Sequence, residues 1–432
     1  MNNRSSYHRQ LEEVSPLRQR VMGIVFLLFA LAIFVFFISG QDLAAKRASF
    51  GLTPGGAKPE LPPLIVAVQP ALYLFAVLCA VAGGVQIARG FKRWTNWILG
   101  AVVGFFILAF LTWAAAGKSL NMAGLLSTTL VKAVPLTLGA MSGILCERAG
   151  VFNIAIEGMM LSAAMVGCLV GSLAKNVQIG IPNAGLWIGL LAAIGTGALL
   201  AVLHGVLSIK YKINQIISGT IINILSTGFT SYISAKFMQP YPELNNPGIF
   251  PQWSFPGLSA IPFFGPILFQ NTLFVYAMFV FLIVLQVALF KTRWGLRLRS
   301  VGEHPKAADT LGINVIRTRY MAVILSGMMA GFAGGYFSLG SVGRFDEVMT
   351  AGRGFIALAA MIFGNWMPLG AFGAGLLFGF ADALATRLTI LQIRIPSEFM
   401  LMAPYIATMI VLAGVVGRGQ PPAAGGVPYE KE

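Results

Sequence analysis

The chain has 432 residues, 57% of them hydrophobic and only 10% charged. Soluble domains average about 25% charged residues, so an ordinary soluble protein is excluded. The net charge of +15 does not point to nucleic acid, because the basic residues fall in short loops between apolar runs, where membrane insertion places them.

The apolar runs reach about 20 residues, the length of a spanning helix rather than of a barrel strand. The expected fold class is an all-α integral membrane protein, a polytopic helical bundle of about 10–12 transmembrane helices. The N-terminal tail carries Arg4, Arg9, Arg18 and Arg20 and should be cytoplasmic. The first apolar run, Val21 to Ser39, is too long for the core of a signal peptide and reads as a span. A Gly/Pro-rich outer loop, 41–63, leads to spans near 64–88, 97–116, 122–145, 151–173, 185–208 and 213–235. The loop 236–270 holds seven prolines among Tyr241, Trp253, Phe255, Phe263 and Phe264. That mixture suggests an ordered outer cap, either resting on headgroups or docking a partner. A span near 271–290 and the basic segment Lys291–Arg319 precede another span near 319–341. The run 354–366 is too short to cross alone and reads as a re-entrant or broken helix. Spans near 368–388 and 398–417 follow. Counting from the tail puts loops 89–96, 146–150, 209–212 and 291–319 on the cytoplasmic side.

Two stretches could carry function. Within Lys291–Arg319, residues Gly302 to Ile313 read as a short capped helix. Pro305 suits a first helical position, and Gly312 the left-handed residue past a helix end. Ala307, Ala308 and Leu311 are expected on one small apolar face. The segment is either a solvated basic loop or a surface helix ready to enter another protein's groove.

The second stretch runs from Glu147 to Met160. At 1.5 Å per helical residue from Val151, Glu157 lies about 9 Å into a span. A carboxylate there must face the bundle interior or a wet cavity. Asn153 and Glu157 either line a solute path, or Glu157 is anchored by a backbone amide or a basic side chain such as Arg148. Gly327, Gly331 and Gly335, and Ala371, Gly375 and Gly379, recur at the four-residue spacing of close helix packing, within one chain or between subunits. Gly117-Lys118-Ser119 resembles the end of a phosphate loop, but position 112 is Thr112 where glycine is required. Cys79, Cys146 and Cys168 read as small buried hydrophobes, and His8, His204 and His304 are too scattered for a metal site. Asp382 and His204, inside spans, are the remaining candidates for a proton relay. No catalytic or metal constellation is expected, and no enzyme activity.

The order of residues adds a resemblance. Gly302-Glu303-x-Pro305-x-Ala307-Ala308-x-x-x-Gly312-Ile313 resembles the coupling loop of importer-type ABC transporter permeases, where two alanines are followed by a glycine four residues after the second. Glu147-Arg148-x-Gly150-x-x-Asn153-x-x-x-Glu157-Gly158-x-Met160 is similar to the nucleoside-type permeases of the branched-chain amino acid/ribose-type family. The Gly-Gly-x-Asp-x-Ser segment usual in ribose-type relatives is missing. Asn214 to Thr220, Gly352-x-Gly354-Phe355 and Pro368-x-Gly370 extend the likeness over about residues 120–415.

The resemblance implies an N-terminal extension with extra spans (1–117), a permease core (118–417) with its coupling loop at 291–319, and a short tail (418–432). It implies ATPase contact through Gly302, Glu303, Ala307, Ala308, Leu311 and Gly312, and a solute path at Asn153 and Glu157. ATP and Mg would sit on a separate ABC ATPase subunit, with no cofactor bound by this chain. The other implied partners are a second, related permease, an extracytoplasmic solute-binding protein or lipoprotein, and the lipid of a bacterial cytoplasmic membrane. The implied activity is alternating-access import of nucleosides. The same machinery with a simple sugar or branched-chain amino acid is an alternative. An ion-coupled secondary transporter is another, disfavoured because such a carrier needs no ATPase dock.

Overall fold

Inside hydrocarbon the backbone must bond to itself, which makes long apolar runs helical. The computed structural model describes residues 16–55, 60–177, 180–391, 402 and 420–431. Among these, ten helices are long and apolar enough to cross a membrane. They are α1 (Pro16–Ile38), α2 (Val68–Ala88), α3 (Lys92–Ala114), α4 (Met122–Glu147), α5 (Ile156–Leu173), α6 (Ala184–Lys210), α7 (Gln215–Met238), α8 (Leu273–Lys291), α11 (Val315–Val342) and α13 (Pro368–Ile390). The shorter helices include α9 (Arg293–Glu303), α10 (Pro305–Thr310) and α12 (Arg353–Phe363). The chain is an all-α polytopic membrane protein, as its composition implies. The span expected at 398–417 falls almost wholly outside the described residues.

The chain divides into two compact units, Met1–Gly124 with Thr386–Ile395, and Leu125–Ala385 with Pro396–Glu432. In the first, α1 and α2 meet where Gly83 faces Leu27, and Phe37 stacks on Trp113 at 5.3 Å. The loop between α1 and α2 carries strands β1 (Arg47–Gly51) and β2 (Leu64–Ala67), which pair antiparallel. On its other edge β1 pairs in parallel with β3 (Ser119–Asn121), Ser49 opposite Ser119.

In the second unit, small residues let backbones approach. Gly327 and Gly331 on α11 face Gly197 and Ala193 on α6, so closely that a Cβ at Gly331 would lie 2.5 Å from the Ala193 carbonyl. Gly375 and Gly379 on α13 face Thr137 and Thr129 on α4. Both four-residue stripes are thus used inside the chain. The proline-rich outer loop is ordered, with β4 (Gln252–Ser254) antiparallel to β5 (Gln270–Thr272) and the Tyr276 hydroxyl donating to the Trp253 carbonyl at 2.8 Å. The three cysteines are free and buried.

The irregular region after α11 is a broken crossing. Phe345 is held at the outer cap, its N–H donating to Asn245 Oδ1 at 2.7 Å. Trp366 reaches Glu147 at the C-terminal end of α4. Between them α12 supplies 11 helical residues, about 16 Å at 1.5 Å each, and the rest is non-helical.

Gly327→Ala should lower the melting temperature of the detergent-solubilised protein, because overpacking costs about 1–3 kcal/mol. Gly228→Ala, where a Cβ meets nothing within 4 Å, should leave it unchanged or raised.

Candidate functional site

Three loops assigned to the cytoplasm converge in the structure. α9 is amphipathic, with Gly295, Leu298, Val301 and Gly302 buried and Arg293 and Arg297 outward. Thr292 caps it, Oγ1 accepting from Gly295 N at 3.2 Å. The guanidinium groups of Arg299 and Arg148 lie 4.9 and 5.8 Å from the Phe290 ring. α10 begins at Pro305 with His304 Nδ1 accepting from Ala307 N at 3.1 Å, and ends before Gly312 at φ +78°.

The expected common face of this helix is split. Ala308 is 2% exposed, packed with Val301, Val315, Ile313 and Tyr429. Ala307 and Thr310 point outward, and Leu311 is 81% exposed. Leu311 follows the last helical residue, where the chain turns toward Gly312, so helical spacing does not govern its side chain. Gly302 abuts the Arg148 carbonyl so closely that any side chain would collide. The Glu303 carboxylate accepts from Ala423 N at 3.3 Å.

The Glu147–Met160 stretch is a clamp on α12. The span expected from residue 151 starts only at Ile156. Residues 151–155 stay non-helical because their backbone bonds elsewhere. Phe152 N donates to Gln215 Oε1 at 2.6 Å, and its carbonyl accepts from His204 Nε2 at 2.8 Å. Asn153 Oδ1 accepts from Ala155 N at 3.1 Å, and Asn223 Nδ2 donates to the Ile154 carbonyl at 2.9 Å. Asn153 is buried, its amide also donating to Ser326 Oγ at 3.0 Å.

Glu157 therefore lies in the first turn of α5, not deep along it. Its Oε1 accepts from Thr350 Oγ1 at 2.5 Å and Gly352 N at 2.9 Å, and its Oε2 from Gly354 N at 2.6 Å. An anion at a helix N-terminus satisfies amides that would otherwise be orphaned. Gly354 permits the approach, since a Cβ there would lie 2.6 Å from Glu157 Cα. Arg148 does not pair with Glu157. It donates to the carbonyls of Trp366 at 3.1 Å and Asn365 at 3.4 Å, while Trp366 Nε1 donates to Glu147 Oε2 at 2.6 Å. Asn365 and Trp366 both have positive φ, +52° and +51°, and these contacts hold that strained turn.

A charged cluster at membrane depth is a feature that the sequence reading missed. The Asp382 carboxylate on α13 lies 2.9 Å from Lys132 Nζ on α4 and 3.7 Å from Arg353 Nη2 on α12. The side chains are 25–33% exposed, so the cluster borders open space. The signal available was Lys132 itself, a lysine in mid-span. With both cations beside it, Asp382 is an ion-pair member. His204 is likewise engaged, with Phe152 and with Ser218 Oγ at 3.0 Å.

These features define a multi-pass membrane protein with a surface helix and a pinned half-helix. The chain matches the family described as branched-chain amino acid transport system / permease component over residues 125–416, and it belongs to that family. It is 42% identical over 306 residues to the guanosine ABC transporter permease NupQ of Bacillus subtilis, covering 70% of this chain and 95% of the relative. It is 38% identical to the nucleoside ABC transporter permease NupC of Lactococcus lactis, covering 71% and 96%. A putative glucose ABC transporter permease of Haloferax volcanii, TsgC13, is 33% identical over 68% of this chain and 92% of its own length. No solved structure matches. The protein is a multi-pass protein of the cell membrane.

Glu157→Gln turns an amide donor toward donors, at a cost of about 1–3 kcal/mol for the group left unsatisfied. Arg148→Ala frees the other end of α12. Both should lower the melting temperature in detergent, and the double variant should fall by less than the sum, since both changes release one helix. Additive falls would show that the two ends are independent.

Proposed function

We propose that the chain is the membrane subunit of an ATP-driven importer of nucleosides. Family membership and two nucleoside-type relatives, each matched over at least 95% of its length, support the reading. The observation that carries it is the short capped helix α10 on the cytoplasmic surface, where a driving subunit would push. Ala307, Thr310 and Leu311 would meet the ATPase, while Gly302, Glu303, Ala308 and Gly312 set the helix's position. ATP and Mg would be bound by that partner, and this chain would bind no cofactor and catalyse no reaction.

The push would travel by contact. Gly302 bears on the Arg148–Gly150 turn, and Glu147 and Arg148 hold the inner end of α12. The outer end of α12 carries Arg353 into the charged cluster. On this reading the solute, a neutral molecule rich in hydroxyls and amides, passes the Lys132–Asp382–Arg353 group, where each charge can hydrogen-bond it. Asn153 and Glu157 act on the path through α12. Lactococcus lactis has a second nucleoside ABC transporter permease, NupB, 24% identical to this chain. That favours pairing with a related permease, and the ordered outer cap suits delivery from an extracytoplasmic binding protein. The glucose relative makes a simple sugar the second reading.

Leu311→Asp should abolish co-purification of the ATPase and uptake of radiolabelled guanosine while leaving membrane insertion intact, because a groove shaped for an apolar residue leaves the carboxylate unpaired. Uptake of glucose or leucine in place of nucleosides would overturn the cargo assignment, and normal co-purification would overturn the dock.

A further inference from the structure

The chain's Gly/Pro tail is a folded strap. Residues 420–431 run across the cytoplasmic face and bond to five separate elements. Gln420 N donates to Asn365 Oδ1 at 2.9 Å, beside the strained turn after α12. Ala423 N donates to the Glu303 carboxylate, and Ala424 N to the Gly302 carbonyl at 2.9 Å. Gly426 N donates to the Gly150 carbonyl at 3.2 Å, with Gly425 and Gly426 laid against the Phe152 ring. Arg319, only 2% exposed, donates from Nη1 to the Val427 carbonyl at 3.0 Å. Glu430 pairs with Lys212 at 2.5 Å. Lys212 and, more weakly, Lys306 of α10 hold its carboxyl below the usual carboxylate range.

The strap's most specific contact is Tyr429. A helix of six residues does not persist in water on its own, because nucleation outweighs so few hydrogen bonds. α10 is anchored by Ala308, which is buried in a small cluster with Val301 and Val315, and Ile313 and Tyr429 pack against that cluster. Tyr429 comes from the strap and the others from the coupling segment itself. The strap also covers Arg319, whose Nε and Nη2 have no protein partner among the described residues. Losing the Val427 carbonyl would leave that buried guanidinium less satisfied still, at the first turns of α11, directly after the coupling segment.

We propose that residues 420–431 set the stance of α10, with Tyr429 as a positioning residue, so that the strap determines how much transport each ATP hydrolysed produces. The proposal rests on the reading of α10 as the ATPase contact. A helix free to tilt would still touch the ATPase through Ala307 and Leu311, but would not pass its push to the Arg148–Gly150 turn.

The test is nucleoside uptake per ATP hydrolysed, in proteoliposomes holding the complete transporter, normalised to folded protein by melting curves. Tyr429→Ala should lower the ratio severalfold with the ATPase still bound, and Tyr429→Phe, which keeps the packing, should restore it. Glu430→Lys should lower it too, and adding Lys212→Glu should recover part of the loss, because Lys306 remains beside the new cation. A merely structural strap would move the melting curve without moving the ratio. An unchanged ratio in Tyr429→Ala and Glu430→Lys, while Leu311→Asp still releases the ATPase, would overturn the strap's role and leave the dock standing. If Leu311→Asp also changes nothing, the dock itself is wrong and the strap has nothing to position.

Discussion

The structure turns on one carboxylate at a helix end inside the membrane. α12 begins inside the helical bundle, where Gly354 is buried and its amide needs a partner within the protein. Glu157 takes two of those amides and the Thr350 hydroxyl on its two oxygens. Charge-assisted bonds of this kind contribute roughly 1.5–3 kcal/mol each. Without them, neither the buried charge nor the broken crossing would be tolerable. The two features that look expensive separately, an intramembrane anion and a helix that starts inside the bundle, cancel each other's cost.

That pairing explains the spacing of the whole motif. Glu147 ends α4, and Glu157 lies in the first turn of α5 ten positions later. The non-helical stretch between them places the two grips at opposite ends of one 11-residue helix. α7 serves the same purpose through Gln215 and Asn223, which bond to that stretch, and through Ser218, which meets the His204 ring that bonds to it. The Asn214–Thr220 motif is therefore legible as support for the Glu147–Met160 motif.

Much of this could be read from the sequence, but not its partners. Apolar length gave the spans, and a 13-residue run with Asn365 near its end and Pro368 just beyond announced a re-entrant or broken helix. Pro305 and Gly312 marked the ends of α10, because capping chemistry is local. Pairings between distant elements were not legible. Backbone amides and Arg148 were both open as partners for Glu157, and nothing local chose between them. Helical spacing put Ala308 beside Leu311, yet the chain leaves the helix between them. Lys132 was passed over because its meaning depends on Asp382, 250 positions away. The strap has no periodicity at all, and its order comes entirely from what it touches.

The contacts join into a route between the surface helix α10 and the charged cluster. Ala308 of α10 is buried with Val301 and Val315, and Tyr429 packs against that cluster. Gly302 rests on the Arg148 turn, and that turn grips α12, whose first residue is paired with Asp382. The joints are apolar packing at α10, a glycine contact at Gly302, the Arg148 hydrogen bonds and an ion pair at Arg353. A route of such joints transmits a displacement only if its elements have two arrangements to move between. α12 is suited to that. Its ends are held by polar contacts that can be exchanged, whereas α6 and α11 are locked backbone to backbone through Gly197, Gly327 and Gly331. The division is between a fixed frame built on glycine contacts and a half-helix held by charges. The half-helix is the part that bears Arg353 on the cluster at membrane depth.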